Sequence, residues 1–527
     1  MRPEKRRFTK ADRIILIVLA AALLLAVLLQ SLGVRKKTGQ QDPAHTVTWQ
    51  DYQGRKIGVL SGTNMEEAAK KFFPQSEYFY YKGYPDMNAA LEAGIIDAYL
   101  VDEPAIRCTH ASQPQIDYIK ERLTDNSYSF AFRKNEPEET KLRDQLNEFL
   151  KKIRSDGTYA KIDAVWFGND DSVKVVDMSG LTGENGTIRV ITTSTDEPFS
   201  YIKDGQNVGL DIDVAVRFCR AYGYALEIGD VDFQARIPAL ESGQYEFTTS
   251  MNVTPEREEA VLFSDPVSEG GIVVAVRSED LAGEEAVSEK KGFFRGLYES
   301  FVKNFIRENR WKLILQGMGT TCLITFFSAL FGTLLAFLVC RFRCLDSSLA
   351  GPAADFYVRV MQGTPMVVVL MMLYYVILGR FGVPAFWVAV AGFALNVGAY
   401  GSEIMRSGIE SVDKGQREAA IALGFSEREA FYEFVFPQAS VTFLPVYRGE
   451  LVSLLKSTSI VGYISILDLT KMSDIIRGRT YEAFFPLIAT ALIYFFLAWI
   501  ISLLMQALLN RVDWRSERNR MRRRKRG

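Results

Sequence analysis

The sequence predicts a multidomain chain with an N-terminal transmembrane anchor, a two-part α/β region and an all-α membrane bundle. Three observations predict it. Residues 46–277 mix polar and apolar residues as a globular domain does, in short apolar runs that end on turn residues. Around them lie apolar runs too long for a soluble core, at 14–29 and near 312–339, 365–379, 383–400, 441–466 and 484–510. Each approaches or reaches, with its flanks, the ~20 residues that a spanning helix needs. The third is an almost solidly basic tail, 511–526, in a chain whose 62 Lys and Arg nearly balance 63 Asp and Glu. Directly after an apolar span, such a tail marks the cytoplasmic side more often than a nucleic-acid arm.

The first run follows Arg2, Lys5, Arg6, Arg7, Lys10 and Arg13, which is also the pattern of a secretory signal. The run is long, no small-residue cleavage site follows it cleanly, and no Cys stands ready for a lipid. Residues 1–45 are therefore read as a cytoplasmic basic N-terminus and an uncleaved anchor, with cleavage as the alternative. The five cysteines, Cys108, Cys219, Cys322, Cys340 and Cys344, form no CxxC pair and read as free thiols. His45 and His110 are the only histidines, which argues against a metal centre or a His-based catalytic triad.

The α/β region opens on a strand at 55–60, which turns at Ser61-Gly62 into a helix capped by Thr63, with Glu66 in the capping-box position. A helix and turn at 89–97 lead to a strand at 98–101 that ends in Asp102-Glu103-Pro104. An amphipathic helix follows at 142–153, then a loop rich in Asp, Ser and Gly at 169–186. The strand 188–191 begins a second α/β unit that runs to 277. Within it, Thr254-Pro255-Glu256-Arg257 supplies a cap, a Pro at the first helical position and a guanidinium in the first turn. Free amides and Arg257 would suit a carboxylate, which Arg can bind bidentately. Asp102, at the strand end of the other unit, could receive an ammonium. A plain helix start and a plain turn residue are the alternatives.

These phrases, with Pro198-Phe199-Ser200-Tyr201, Gly209-Leu210-Asp211-Ile212-Asp213 and Phe263-Ser264-Asp265-Pro266, resemble the periplasmic-type binding proteins for polar amino acids. The resemblance implies a two-lobed, type II periplasmic-binding-protein-like domain over 46–280. Its order is permuted: in that family the portion like 187–277 comes first, and the portion like 46–168 is the second lobe and return segment. One circularly permuted domain explains this, because the termini of compact domains often lie close together; two half-domains that pair with partners are the rival. The resemblance makes Arg257 the carboxylate arginine and Asp102 the amino-group aspartate. Thr63 and the amide of Gly62 become second-lobe contacts, Ser250 and Asn252 first-lobe contacts, and Phe199 an aromatic wall. Four features depart from the family: Thr193 stands where many relatives have Asp, Asn252 where many have Thr, Arg236 where the residue is usually apolar, and the run 245–250 is one residue shorter than usual.

Residues 281–310 read as a charged linker followed by a helix lying on the membrane surface, with Phe294, Leu297, Phe301 and Phe305 on one face. In the bundle, 311–510, the polar island 415–437 forms a short helix through Glu418, Ala419, Ala420 and Leu423, ended by Gly424. Ser426 caps a second helix, with Glu429 completing its capping box. With Gln362-Gly363-Thr364-Pro365, 400–406 and 455–460, the island resembles the five-helix type I permeases of histidine, glutamine and arginine ABC importers. Glu418–Gly424 is then the loop that an ATPase grips. Glu450, a charge deep in an apolar run, is the candidate for lining the path; an internal ion pair with Arg448 or Lys456 is the alternative.

No phosphate-binding G-x4-GK[ST] loop occurs in the sequence, so ATP and Mg are expected only on a separate ABC ATP-binding subunit, acting as a homodimer. The expected assembly has an amino-acid ligand, two permease subunits, identical or related, and no cofactor, metal or nucleic acid on this chain. The expected location is the bacterial plasma membrane, multi-pass, with the α/β domain extracellular, both termini inside and 511–527 a cytoplasmic tail. An amino-acid-gated channel and a ligand sensor are the competing functions. Neither an enzyme nor a signalling output is supported by any catalytic constellation.

Overall fold

The structure is a computed structural model that describes residues 47–61, 63–168, 170–282, 293–343, 349–378, 381–482 and 484–512. The anticipated anchor, Gly62 and the basic tail lie outside the described residues.

The α/β region is built on one continuous sheet. Strands β1 (Lys56–Leu60), β2 (Glu77–Tyr81) and β3 (Ala98–Asp102) are parallel neighbours in the order β2-β1-β3. The 18-residue β4 (Ile116–Arg133) joins this half to the other. Further strands are β5 (Thr187–Thr192), β6 (Thr195–Asp196), β7 (Ser200–Lys203), β8 (Gln206–Val208) and β9 (Ala225–Asp230). β10 (Phe247–Asn252), β11 (Val261–Phe263) and β12 (Ser268–Arg277) complete the domain. The first part of β4 pairs with β12, which also pairs with β3, while its last residues pair with β10 and β11. These two strands therefore cross between a lobe made by 47–126 and a lobe that contains β5, β9 and β10. β6, β7 and β8 form a separate small sheet.

The helices Pro137–Ser155 and Thr158–Trp166 follow β4 and pack on the second-mentioned lobe. Phe149 and Trp166 join its core with Tyr201 and Phe218, and the Trp166 indole donates to Asp213 (3.1 Å). The loop 170–186 is pinned to the same lobe, where Arg220 donates to the carbonyl oxygens of Ser179 (2.9 Å) and Asp177 (2.6 Å). Gly209 is required where it stands: at φ +131° its backbone touches Phe199, and a Cβ would lie 2.2 Å from the Phe199 carbonyl oxygen. That approach lets Leu210 and Asp211 at the start of the next helix donate to Pro198 and Phe199.

Two local expectations shift. The helix expected at 89–97 is Tyr84–Glu92, begun early because Pro85 sits in its first turn. The helix after β1 starts at Met65, and Asn64 rather than Thr63 is its N-cap residue; the Thr63 hydroxyl instead accepts from the Met65 amide (3.3 Å).

Beyond the sheet domain, three helices among the described residues are long and apolar enough to cross a membrane: Trp311–Arg343, Ala385–Glu410 and Phe485–Arg511. Two bent pairs raise the number to as many as five, Ala350–Gly363 with Met366–Leu378, and Glu427–Ile464 with Leu469–Thr480. Small residues set the closest contacts. A Cβ on Gly332 would lie 2.7 Å from Val397, and one on Gly401 2.9 Å from Ala336, so Trp311–Arg343 and Ala385–Glu410 pack backbone to backbone.

Candidate functional site

Asp102 ends β3 at the mouth between the lobes, where it receives hydroxyls from Tyr128 (2.6 Å) and Tyr84 (3.2 Å). Burial raises its pKa, against the Tyr128, Asn252 and Tyr84 hydrogen bonds and the charge of Arg257. Thr254 caps the helix Pro255–Ala260 as expected, accepting from the Arg257 amide (3.4 Å). The Arg257 guanidinium donates to the Asn252 carbonyl oxygen (2.9 Å) and lies over the Phe233 ring, 5.5 Å from its centre. Asp102 and Arg257, from different lobes, thus lie near enough for their charges to act on each other.

The lobes touch around the space between them. Asn252 donates to Asn64 across it (3.0 Å), and Gln234 donates to the Ser61 carbonyl oxygen (3.3 Å). The cleft is closed. Ser250 sits at its wall, but its amide and hydroxyl both donate to Asp211 (2.8 Å each). Phe199 is 3% exposed, packed against Tyr128 at 5.2 Å between ring centres, so it backs the cleft through that tyrosine. Thr63 donates to Leu60 beside the crossing point (2.7 Å). Arg236 is wholly buried and donates to the hydroxyls of Thr248 (2.7 Å) and Thr249 (3.0 Å). Its guanidinium thereby satisfies the end of β10, which explains a charge at a position where an apolar side chain would do.

A second surface, absent from the sequence reading, joins the sheet domain to the bundle. The helix Leu469–Thr480 carries it. Lys471, its side chain 5% exposed, lies 2.9 Å from both Asp230 and Asp232. Arg479 pairs with Glu197 (2.9 Å), Asp171 (2.7 Å) and Glu308 (3.0 Å). Those partners belong to the lobe of β5 and β9 and to the connector. The other lobe is held by Arg477, which pairs with Asp86, and by Gln113, which donates to the Tyr481 carbonyl oxygen (2.8 Å). One helix of the bundle therefore holds both lobes. Gln244 and Tyr245 add contacts to Tyr374 and Ser465.

The polar island hangs at the opposite end of Ala385–Glu410. Asp413 caps its first helix, Lys414–Ala422, Gly424 follows at φ +94°, and Ser426 and Glu429 form the anticipated reciprocal cap. Glu418 and Ala419 are exposed while Ala420 is buried within the hairpin. Glu450 lies half-buried on Phe436–Ser457, and among the described residues neither Arg448 nor Lys456 forms an ion pair with it. Arg343 instead joins Asp355 and Glu403 at the island's end of the bundle. No group of three His, Cys, Asp or Glu able to hold a metal occurs among the described residues.

A two-lobed domain closed over a cleft and seated on a bundle of membrane-length helices defines a solute-binding domain fused to a membrane permease. The chain belongs to the bacterial extracellular solute-binding proteins, family 3, whose pattern it matches over residues 32–169 and 188–441. Its permease half is homologous to the arginine transport system permease protein ArtQ of Bacillus subtilis, 36% identical over 199 residues, 37% of this chain and 90% of that protein. It is also similar to the L-cystine transport system permease protein TcyB of Bacillus subtilis, 30% identical over 40% of this chain and 91% of that one. A crystal structure of an amino acid ABC transporter with histidines is 32% identical over 42% of this chain and 99% of that one, with a TM-score of 0.36.

Proposed function

We propose that the chain is the fused binding and permease subunit of an ABC importer for a polar amino acid, driven by ATP on a separate subunit. The observation that carries this is the closed cleft in which Arg257 and Asp102 face each other from two lobes, the pair of charges a zwitterion requires. Arg257 would take the α-carboxylate and Asp102 the α-ammonium, with Thr63, Gly62, Ser250 and Asn252 completing the site as the lobes adjust. Charge-assisted hydrogen bonds of this kind contribute roughly 1.5–3 kcal/mol each, so a ligand that touches both lobes favours closure. The names of the homologous permeases, which include arginine and cystine transport systems, agree with an amino-acid cargo.

In this reading the binding domain is one circularly permuted unit. Its first lobe is encoded second, and the loop 170–186 replaces the ancestral termini. The two bent helix pairs count as spans, making five after the anchor. The binding domain is extracellular and the termini are cytoplasmic in a bacterial plasma membrane. The hairpin Glu418, Ala419, Ala420 and Gly424 is the lever for a dimeric ATPase, and Glu450 lines the path between two permease subunits, identical in the simplest assembly. Reconstitution with the cognate ATPase tests the whole. Amino-acid uptake that requires ATP, with hydrolysis stimulated by the same amino acid, is expected; ion current without hydrolysis would make it a ligand-gated channel.

A further inference from the structure

The closed cleft holds more acid than a zwitterion needs. In β6, Thr195 packs on Gly478 of the bundle, 3.1 Å from where a Cβ would stand, and Glu197 just beyond pairs with Arg479. Side chains alternate along an extended backbone, so the intervening Asp196 faces the other way, into the cleft. There its strongest charged neighbour is another carboxylate, Asp102, with Arg236 opposing and Asp211 adding to the repulsion. Among the described residues no hydrogen bond or ion pair engages the Asp196 carboxylate. Burial, with the charge of Asp102 next, pushes this carboxyl up to about 7.

The groups that could neutralise it are engaged elsewhere. Arg236 donates to Thr248, Thr249 and Ser250, and Arg257 to the Asn252 carbonyl oxygen. Thr193, at the position where many related domains carry an acid, turns its hydroxyl to the Val231 carbonyl oxygen (3.2 Å). Asn252, 8% exposed, keeps a side-chain carbonyl oxygen without a donor. When ionised, the three carboxylates Asp102, Asp196 and Asp211 outnumber the two guanidiniums Arg236 and Arg257. The α-carboxylate and α-ammonium of a neutral amino acid cancel and leave that excess unmatched.

We propose that Asp196 is the specificity residue of this cleft and receives a second positive charge, so that the solute is a dibasic amino acid of the arginine, lysine or ornithine type. This rests on the amino-acid reading of the cleft given above. The alternative geometry, in which Asp102 and Asp196 together clasp a single ammonium, makes no distinction between dibasic and neutral ligands.

The test is calorimetric binding to the full-length protein in lipid nanodiscs, using L-arginine, L-lysine, L-glutamine and L-citrulline, the last having the shape of arginine with a neutral end. Arginine is expected to bind about 10- to 150-fold more tightly than citrulline, the range of one charge-assisted contact. Asp196→Asn should remove that preference, and Asp196→Glu should keep most of it. Equal affinity for arginine and citrulline, or an Asp196→Asn variant that weakens both by the same factor, overturns the assignment of Asp196 and leaves the amino-acid reading in place. Binding of none of the four overturns the dibasic assignment, and binding of none of the other common amino acids either overturns the amino-acid reading as well.

Discussion

The Nη1 of Arg479 reaches both carboxylate oxygens of Glu197, at 3.0 and 2.9 Å, and the two side chains are 9% and 7% exposed. This pair ties the permease to the lobe that carries β6, while Arg477 on the same helix ties it to Asp86 of the other lobe. One helix, Leu469–Thr480, thus carries ion pairs to both lobes.

Arg479→Ala leaves Glu197 buried without its partner, a change that costs about 3–5 kcal/mol. The cost falls on docking, since Glu197 points away from the cleft. Uptake into proteoliposomes that contain the partner ATPase should fall more than about tenfold, with solute affinity within about threefold of wild type. Removing the buried acid as well, Glu197→Ala with Arg479→Ala, should recover part of the loss, and the double-mutant cycle measures the coupling directly. Equal losses of affinity and uptake in Arg479→Ala would place the defect in the cleft instead.

Arg257→Ala removes a guanidinium that lies over Phe233 and faces Asp102. Losing a charge-assisted contact worth roughly 1.5–3 kcal/mol should weaken amino-acid binding by about 10- to 150-fold. Arg257→Lys keeps the charge but loses the planar fork, so its affinity should fall between the two. Calorimetry on the full-length protein reads both; wild-type affinity in Arg257→Ala would remove the carboxylate role.

Much of this was legible in the sequence, for identifiable reasons. Thr254, Pro255 and Arg257 form a local cap, and local caps depend on neighbouring residues alone. The Ser426–Glu429 box and the turn at Gly424 were readable on the same ground. β4 was not, because Asp117, Lys120, Glu121, Arg122 and Asp125 break up its apolar pattern where it crosses between lobes. The docking helix was hidden for a different reason. Lys471, Arg477 and Arg479 are ordinary surface charges in sequence, and only the approach of Asp230, Asp86 and Glu197 from over 200 residues away buries them. Asp196 escaped notice likewise, since the importance of an unpaired carboxylate depends on which charges surround it.

The same carboxylate makes binding sensitive to pH. Asp196 faces Asp102, Asp211, Arg236 and the hydroxyls of Tyr84 and Tyr128. Its folded-state pKa, pushed up to about 7 by burial and then Asp102, exceeds that of the unfolded chain. Between the ordinary carboxylate range and about 7 the ligand-free fold therefore holds a proton that the unfolded chain has lost, and stability falls as pH rises through that window. A cationic ligand requires the ionised form, so arginine binding should release a proton below about pH 7 and tighten by up to about tenfold per unit as pH rises toward it. Calorimetry in buffers of different ionisation enthalpy counts the proton. Asp196→Asn should abolish its release and flatten the Asp196 share of the stability slope, leaving the share of Asp211, which is also raised to about 7 chiefly by burial.

At the far end of the bundle, the hairpin presents an apolar surface that its own fold does not cover. Leu423 is 77% exposed, with Ile421, Phe425 and Tyr432 each near 40%, beside the exposed Glu418 and Ala419. Ala420 is 2% exposed and packs inside, so the small residue there permits the hairpin to close, and Ala419 leaves room for an incoming backbone. Leu423→Asp puts a charge on the part of this surface that a partner would dehydrate most, at the ~2 kcal/mol or more typical of an interface hot spot. Co-purification of the ATPase with the full-length chain should drop at least about tenfold. Arginine binding and the unfolding temperature should stay at wild-type values, because the hairpin lies a full helix, about 39 Å at 1.5 Å per residue, from the docked domain. Undiminished recovery of the ATPase together with normal uptake in Leu423→Asp and in Glu418→Lys would remove the hairpin from the drive train.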